Sequence, residues 1–252
     1  MAETAPLLFP KVLVTGAGGW IGQHTCRELE RRGHTVRGLD VAPMPQLSDA
    51  VVGSIADMDT VRRAASGMDA IVHLAATPDD ADFMSLLLPN NIIGVYNIFE
   101  AARELGIKRV VGTSSVQVVM GLPWTKKQIR LEDTPYPLNL YAASKVFQEA
   151  VGRVYAHNCD MSVIVIRPGW VPRARETVER IKTSEASQSM YFSPEDSGRC
   201  FADAVAADKV KFAVVFGTSR SPTYQPFDLE PTRMITGYEP QHKFPQGLPE
   251  FP

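Results

Sequence analysis

A tyrosine and a lysine four residues apart, in the run Tyr141-Ala142-Ala143-Ser144-Lys145, are the side chains of this sequence best suited to moving a proton. On a helix the i, i+4 spacing puts both on one face. A free phenol titrates at about pH 10, too high for a base in neutral solution. A neighbouring ammonium favours the phenolate and lowers that value. Tyr141 can then take the proton of a substrate hydroxyl, which is one half of an alcohol oxidation. Ser115 follows a strand predicted over residues 109–113, where a hydroxyl would hold the substrate oxygen beside Tyr141. Ser114 competes for that role, and both serines serving only as turn caps is the plainer alternative.

The other half of such a reaction is a hydride acceptor, and a second constellation provides for one. Thr15-Gly16-Ala17-Gly18-Gly19-Trp20-Ile21-Gly22 places glycines 16, 19 and 22 between a predicted strand and a predicted helix. Gly16 permits the tight turn, Gly19 lets backbone approach a pyrophosphate, and Gly22 lets helix and strand pack closely. The helix N-terminus offers free N–H groups and a positive dipole end to the phosphates. Asp40 ends the second strand, about 20 residues on, where an acid bonds the ribose 2′-hydroxyl and repels a 2′-phosphate. NAD is therefore the expected cofactor rather than NADP. Arg37 precedes the strand end and is not read as a phosphate anchor.

Stepping outward, short β-branched runs alternate with helical patterns. Strands are predicted over residues 11–15, 35–39, 70–74, 109–113 and 162–166, with a weaker one near Val51 and Val52. Helices are predicted after the glycine turn to about residue 32, and over residues 58–65, 83–105 and 139–157. The fold class is α/β, a Rossmann-like doubly wound parallel sheet with a small C-terminal substrate-covering region. Residues 1–252 read as one domain, with an NAD-binding core over 10–167 and mainly covering segments, plus added core elements, over 168–252. Residues 120–137 read as a surface loop, and 170–193 as a polar, Arg-rich stretch without assigned elements. A helix over 194–207 and a strand over 212–216 follow, and the proline-rich tail from Pro240 reads as irregular.

The bulk numbers agree with that plan. The chain has 252 residues, 44% hydrophobic and 21% charged, enough for a full core. A net charge of -2 gives no electrostatic reason for a nucleic-acid partner. No apolar run is long enough to span a bilayer, and Met1–Pro10 lacks a secretory pattern, so no membrane partner and a cytoplasmic location are expected. Cys26, Cys159 and Cys200 are too few and scattered for a disulfide framework, and no metal site is expected.

At these residues the chain resembles the extended short-chain dehydrogenases/reductases, the NAD-dependent epimerase/dehydratase family. The resemblance spans residues 11 to 217. Beyond the glycine turn, Asp40 and Y-A-A-S-K, it is carried by H-L-A-A (His73 to Ala76), N-I-I-G-V-Y-N (Asn91 to Asn97), T-S-S (Thr113 to Ser115), E-D-T-P-Y-P (Glu132 to Pro137) and R-P-G (Arg167 to Gly169). Within it the chain looks most like uronate dehydrogenases, which share the helix from Asn91 to Arg103, S-P-x-D (Ser193 to Asp196) and G-Y-E-P (Gly237 to Pro240). Those enzymes oxidise the C1 hydroxyl of a cyclic hexuronic acid to a lactone with NAD. The resemblance implies cofactor contacts from Trp20, Ile21, Asp40, Val41, Ser54, Ile55, Leu74, Ala75, Ala76, Asn91, Tyr141 and Lys145. It implies substrate contacts from Thr77, Ser115, Val116, Gln117, Trp170 and Arg175, and a homo-oligomer in which the helices from Phe83 and from Asn139 pack across a two-fold axis.

This chain departs from the pattern in the substrate pocket. The family's Ser-Ser-Asn-His reads Ser114-Ser115-Val116-Gln117, Trp170 replaces a small hydroxyl residue, and Ser54 replaces an acid near the adenine. Each lost polar partner shifts discrimination by roughly 1–3 kcal/mol. Arg173, Arg175 and Arg180 lie in the covering segment, where a guanidinium fork suits a substrate acid group, Arg175 being favoured. A 4,6-dehydratase is excluded by Val116-Gln117, which supply neither acid nor base. A sugar or nucleotide-sugar epimerase uses the same serine, tyrosine and lysine and stays as the alternative enzyme. A non-catalytic NAD-sensing protein is the alternative of another class, and the presence of both Tyr141 and Lys145 speaks against it.

Overall fold

The structure is a computed structural model, and it describes residues 6–251; residues 1–5 of the Met1–Pro10 reading lie outside them. Among the described residues seven strands form one parallel sheet in the order β3-β2-β1-β4-β5-β6-β7. The strands are β1 (Lys11–Thr15), β2 (Thr35–Asp40), β3 (Ala50–Val52), β4 (Ala70–His73), β5 (Arg109–Thr113), β6 (Ser162–Pro168) and β7 (Phe212–Gly217). Chain order reverses between β1 and β4, which opens a crevice at their carboxyl ends. Among the described residues no helix is long and apolar enough to cross a membrane.

Both sheet faces are covered, so the strands are apolar on both sides. Val12 and Val14 of β1 join one core cluster while Leu13 joins the other. Ile164 and Ile166 of β6 repeat the alternation against Val163 and Val165. The first cluster is closed by α1 (Trp20–Arg31) and α7 (Pro194–Ala206). The second is closed by α2 (Met58–Ala65), α3 (Gly94–Glu104) and α4 (Leu140–Asn158). Helix starts follow local chemistry: Asn139 Oδ1 accepts from the Ala142 N–H at 2.7 Å, and the Ser193 hydroxyl accepts from the Asp196 N–H at 3.0 Å.

Three stretches differ from the sequence reading. The helix expected over 83–105 is a wide, π-type helix over Phe83–Ile93 that continues as α3. Pro89 inside it has no N–H to donate, and the Gly94 N–H reaches back five residues to the Pro89 carbonyl. The Arg-rich stretch holds α5 (Arg175–Lys182) and α6 (Glu185–Ser189), and α8 (Glu230–Thr236) lies where no element was expected. Their few buried residues, Val178 and Ile181 in α5 and Thr232 and Thr236 in α8, give too short an apolar stripe to read by periodicity.

Candidate active site

A cleft of about 900 Å³ follows the carboxyl ends of the strands across the β1/β4 switch point. Its first end is the glycine turn. Gly16 has φ +69°, and a Cβ there would sit 2.8 Å from the Ala75 nitrogen; a Cβ on Gly22 would sit 2.0 Å from the Gly16 carbonyl oxygen. Bare glycines are thus required for β1, α1 and the strand-β4 loop to meet. No side chain caps α1, so its N-terminal N–H groups remain for a ligand. Asp40 receives the Gly18 N–H at 2.9 Å and the Ala42 N–H at 3.1 Å, which holds its carboxylate at the cleft edge. These features fit a dinucleotide: an uncapped helix N-terminus beside a glycine turn, with an acid at the cleft edge.

Gly16, Gly19, Trp20, Ile21, Gly22, Asp40, Val41, Ser54, Ile55, Leu74, Ala75 and Ala76 all line this cleft. Asn91 does not. It is buried behind the wall, where its amide accepts from the Thr77 N–H at 2.8 Å and donates to the Thr77 carbonyl and to Ser144. Thr77 likewise turns away from the cleft, its hydroxyl donating to the Leu86 carbonyl at 3.2 Å and accepting from Asn90. The two residues brace the loop after β4. His73, quoted above only as part of a motif, also braces that loop. Its Nδ1 lies 2.8 Å from the Thr15 hydroxyl, which in turn accepts from the Ala75 N–H. Burial pushes its pKa down to about 3, so it is neutral.

At the other end stand Ser115, Tyr141 and Lys145. Ser114 and Ser115 both line the cleft but differ in their bonding. The Ser114 hydroxyl donates to Glu149 Oε1 at 2.6 Å, and Glu149 is held by a bidentate, buried bond from Arg167 at 2.8 Å. The Ser115 hydroxyl accepts from the Gln117 N–H at 3.1 Å and stands beside the phenol. Tyr141 and Lys145 share one face of α4 as expected, but the expected effect of the lysine on the phenol is absent. Burial pushes Tyr141 up to about 12, Asp79 adding to the rise while Ser115 and Arg173 oppose it. Lys145 Nζ donates instead to the Thr113 carbonyl at 2.9 Å, and burial brings its own pKa down to about 8.

Val116, Gln117 and Trp170 line the substrate end, whereas Arg175 does not. The Arg175 guanidinium donates to the Phe251 carbonyl at 3.1 Å, because α5 turns its first residue toward the tail. The cleft arginines are Arg173, ion-paired with Asp79, and Arg180, whose guanidinium lies 4.8 Å over the Trp170 ring. Asp79 itself, along with Asn90, Glu176 and Thr177, lines the cleft and was not foreseen. No sequence signal marks these residues, because isolated polar residues on loops and short helices carry no periodicity.

A parallel sheet in this order, with a glycine cradle at its switch point and a serine, tyrosine and lysine across the cleft, defines a Rossmann-type dinucleotide-dependent oxidoreductase. Comparison with known proteins gives the particular family. The model of the NAD dependent epimerase/dehydratase family matches residues 12–180, and the chain belongs to that family, with NAD as its cofactor. It is 30% identical over 249 residues to an NAD-dependent glucose-6-phosphate dehydrogenase of Haloferax volcanii, covering 91% of this chain and 92% of the relative. It is 31% identical over 229 residues to a uronate dehydrogenase of Pseudomonas syringae pv. tomato, covering 88% and 79%. Among solved structures it superposes on a glucuronic acid dehydrogenase from Chromohalobacter salexigens with a TM-score of 0.82 and 29% identity, over 94% of this chain and 86% of that one.

Proposed function

We propose that the protein oxidises a hydroxyl of a sugar or sugar acid, the C1 hydroxyl of the cyclic form, to the lactone. The observation that carries this reading is the placing of Ser115 and Tyr141 at one end of a continuous cleft whose other end holds the glycine turn and Asp40. Curated relatives named as sugar and uronate dehydrogenases support it.

In this reading Ser115 bonds the C1 oxygen and Tyr141 receives the C1 hydroxyl proton as the C1=O bond forms. A bound NAD would supply the acceptor for the C1 hydrogen as hydride, and the positive charge of its oxidised ring would favour the phenolate. Lys145, fixed on the Thr113 carbonyl, keeps a cation near the Tyr141 ring and would be available to a bound cofactor. The burial of Tyr141 excludes water from the proton transfer. Asp40 would hold the ribose and disfavour a 2′-phosphate, and glycines 16, 19 and 22 would leave room for the pyrophosphate. An acid group on the substrate would be met by Arg180, since Arg173 is occupied by Asp79.

The test is NADH formation across uronic acids, sugar phosphates and neutral aldoses, with wild type beside Tyr141→Phe. Net NADH with at least one sugar, lost in the variant, is expected. Interconversion of sugar isomers without net NADH would indicate the epimerase, and NAD binding without any turnover would indicate a sensor.

A further inference from the structure

Several polar side chains around the substrate end are already bonded to one another. Gln117 Nε2 donates to Asp79 Oδ1 at 3.3 Å, and Gln117 Oε1 accepts from Asn139 Nδ2 at 3.1 Å. Arg173 holds the other Asp79 oxygen, and Arg180 covers the Trp170 ring. Asn90 donates to Thr77 at 2.9 Å. Glu176, Thr177 and Arg180, all from α5, also line the cleft, whereas one stretch of its wall beside Ser115 is apolar. Val116, Met120, Trp170 and Met190 form one wall of the cleft. All four belong to or pack against a third core cluster that contains Phe216 and Phe227, so the wall is the exposed edge of a packed core and cannot open to bring up new polar groups.

A sugar hydroxyl set against this wall gives up its water and gains no partner, which is costly, whereas a methyl group there loses nothing and buries apolar area. We propose that the site selects a deoxy sugar: one carrying a methyl or methylene, in place of a hydroxyl, on the side that meets Val116, Met120 and Trp170. This rests on the sugar-oxidation reading above and narrows its substrate class. The departures from the uronate-dehydrogenase pattern at Val116 and Trp170 then act together. Each replaces a hydrogen-bonding contact with an apolar one on the same wall.

The test uses sugar pairs that differ by a single hydroxyl: D-galactose with 6-deoxy-D-galactose, D-glucose with 6-deoxy-D-glucose, and D-galactose with 2-deoxy-D-galactose, with D-galacturonate alongside. In at least one pair the deoxy sugar is expected to show kcat/KM about 5- to 100-fold above its parent, the range that one unpartnered hydroxyl commands. Val116→Asn and Trp170→Ser, made separately in case one folds poorly, are expected to shrink that ratio while leaving NAD binding by calorimetry unchanged. Parents equal to or better than their deoxy forms in every pair, with turnover still lost in Tyr141→Phe, would overturn the proposal and leave the sugar-oxidation reading standing. No Tyr141-dependent turnover of any sugar by a protein that binds NAD would overturn both.

Discussion

Lys145 lies one helical turn from Tyr141, yet its ammonium donates to the Thr113 carbonyl at 2.9 Å and sits 5.7 Å from the centre of the phenol ring. The helix aligns the pair without giving the phenol a direct cationic partner. In the free protein burial therefore governs the phenol, and Tyr141 stays protonated at neutral pH with a pKa of about 12. The difference in phenolate absorbance between wild type and Tyr141→Phe should be flat from neutral pH to about pH 10. Saturating NAD should move its onset downward. Phenolate in the free protein at pH 7 would contradict this account.

Burial of Lys145 has a thermodynamic consequence. Its folded pKa of about 8 lies below the ordinary 10.5, so the folded chain binds fewer protons than the unfolded one between those values. Its contribution to stability thus rises with pH across that window, and the full penalty is present below about pH 8. Lys145→Met removes a buried cation, so at pH 7 the variant should be more stable by up to about 3 kcal/mol, before the loss of the Thr113 bond is counted, while activity is lost. Urea unfolding at pH 7 and pH 10 checks this, and the gain should be smaller at pH 10.

Ser114 and Ser115 should separate by readout. Ser115→Ala is expected to lower kcat about 100-fold with NAD affinity and stability near wild type. Ser114→Ala leaves Glu149 short of a donor in a buried network, and should cost about 1–2 kcal/mol of stability with a smaller effect on kcat. Equal losses of kcat in both variants would mean that the roles are not divided this way.

Asp40→Asn keeps an oxygen for the Gly18 N–H but removes the charge that repels a 2′-phosphate. The ratio of kcat/KM for NADP to that for NAD should rise about tenfold or more, most strongly at low ionic strength. An unchanged ratio would show that the acid does not face the ribose.

Self-association is the fifth expectation. On α4, Leu140, Ala143, Phe147, Ala150 and Val154 follow an alternating three- and four-residue spacing, with Leu140 and Val154 more than half exposed. Met84, Leu86, Ile93 and Tyr96 are exposed on the neighbouring helical stretch. We propose that these faces pair across a two-fold axis, and that Leu140→Glu with Val154→Glu converts a dimer to a monomer in sedimentation measurements. A wild-type chain that stays monomeric at all concentrations would end this idea.

How far the sequence could be read depended on the kind of signal each residue carried. Val12, Leu13 and Val14 form a run that only a strand buried on both faces can use, and the strand-β1 assignment followed. Gly16 and Gly22 were legible because close approach of backbone permits no side chain there. The bonds that Asn91 and Thr77 make to each other and to Leu86 were not legible, because a motif gives position along the chain but not direction. Arg175 was favoured over Arg180 because helix α5 was not foreseen, and with it the turn that sends one arginine to the tail and the other over Trp170.

By itself, then, the sequence determined what is set by neighbours along the chain: the strands, the glycine turn, the acid that ends β2, and the one-turn spacing of Tyr141 and Lys145. Tertiary structure alone decided what depends on groups distant in the chain. It bonded Ser114 to Glu149 and Ser115 to the Gln117 N–H, directed the Lys145 ammonium to Thr113, and paired Asp79 with Arg173. The reason is physical: local conformation follows from spacing and sterics, whereas hydrogen-bond partners and pKa values follow from burial and from whichever charge packing brings near.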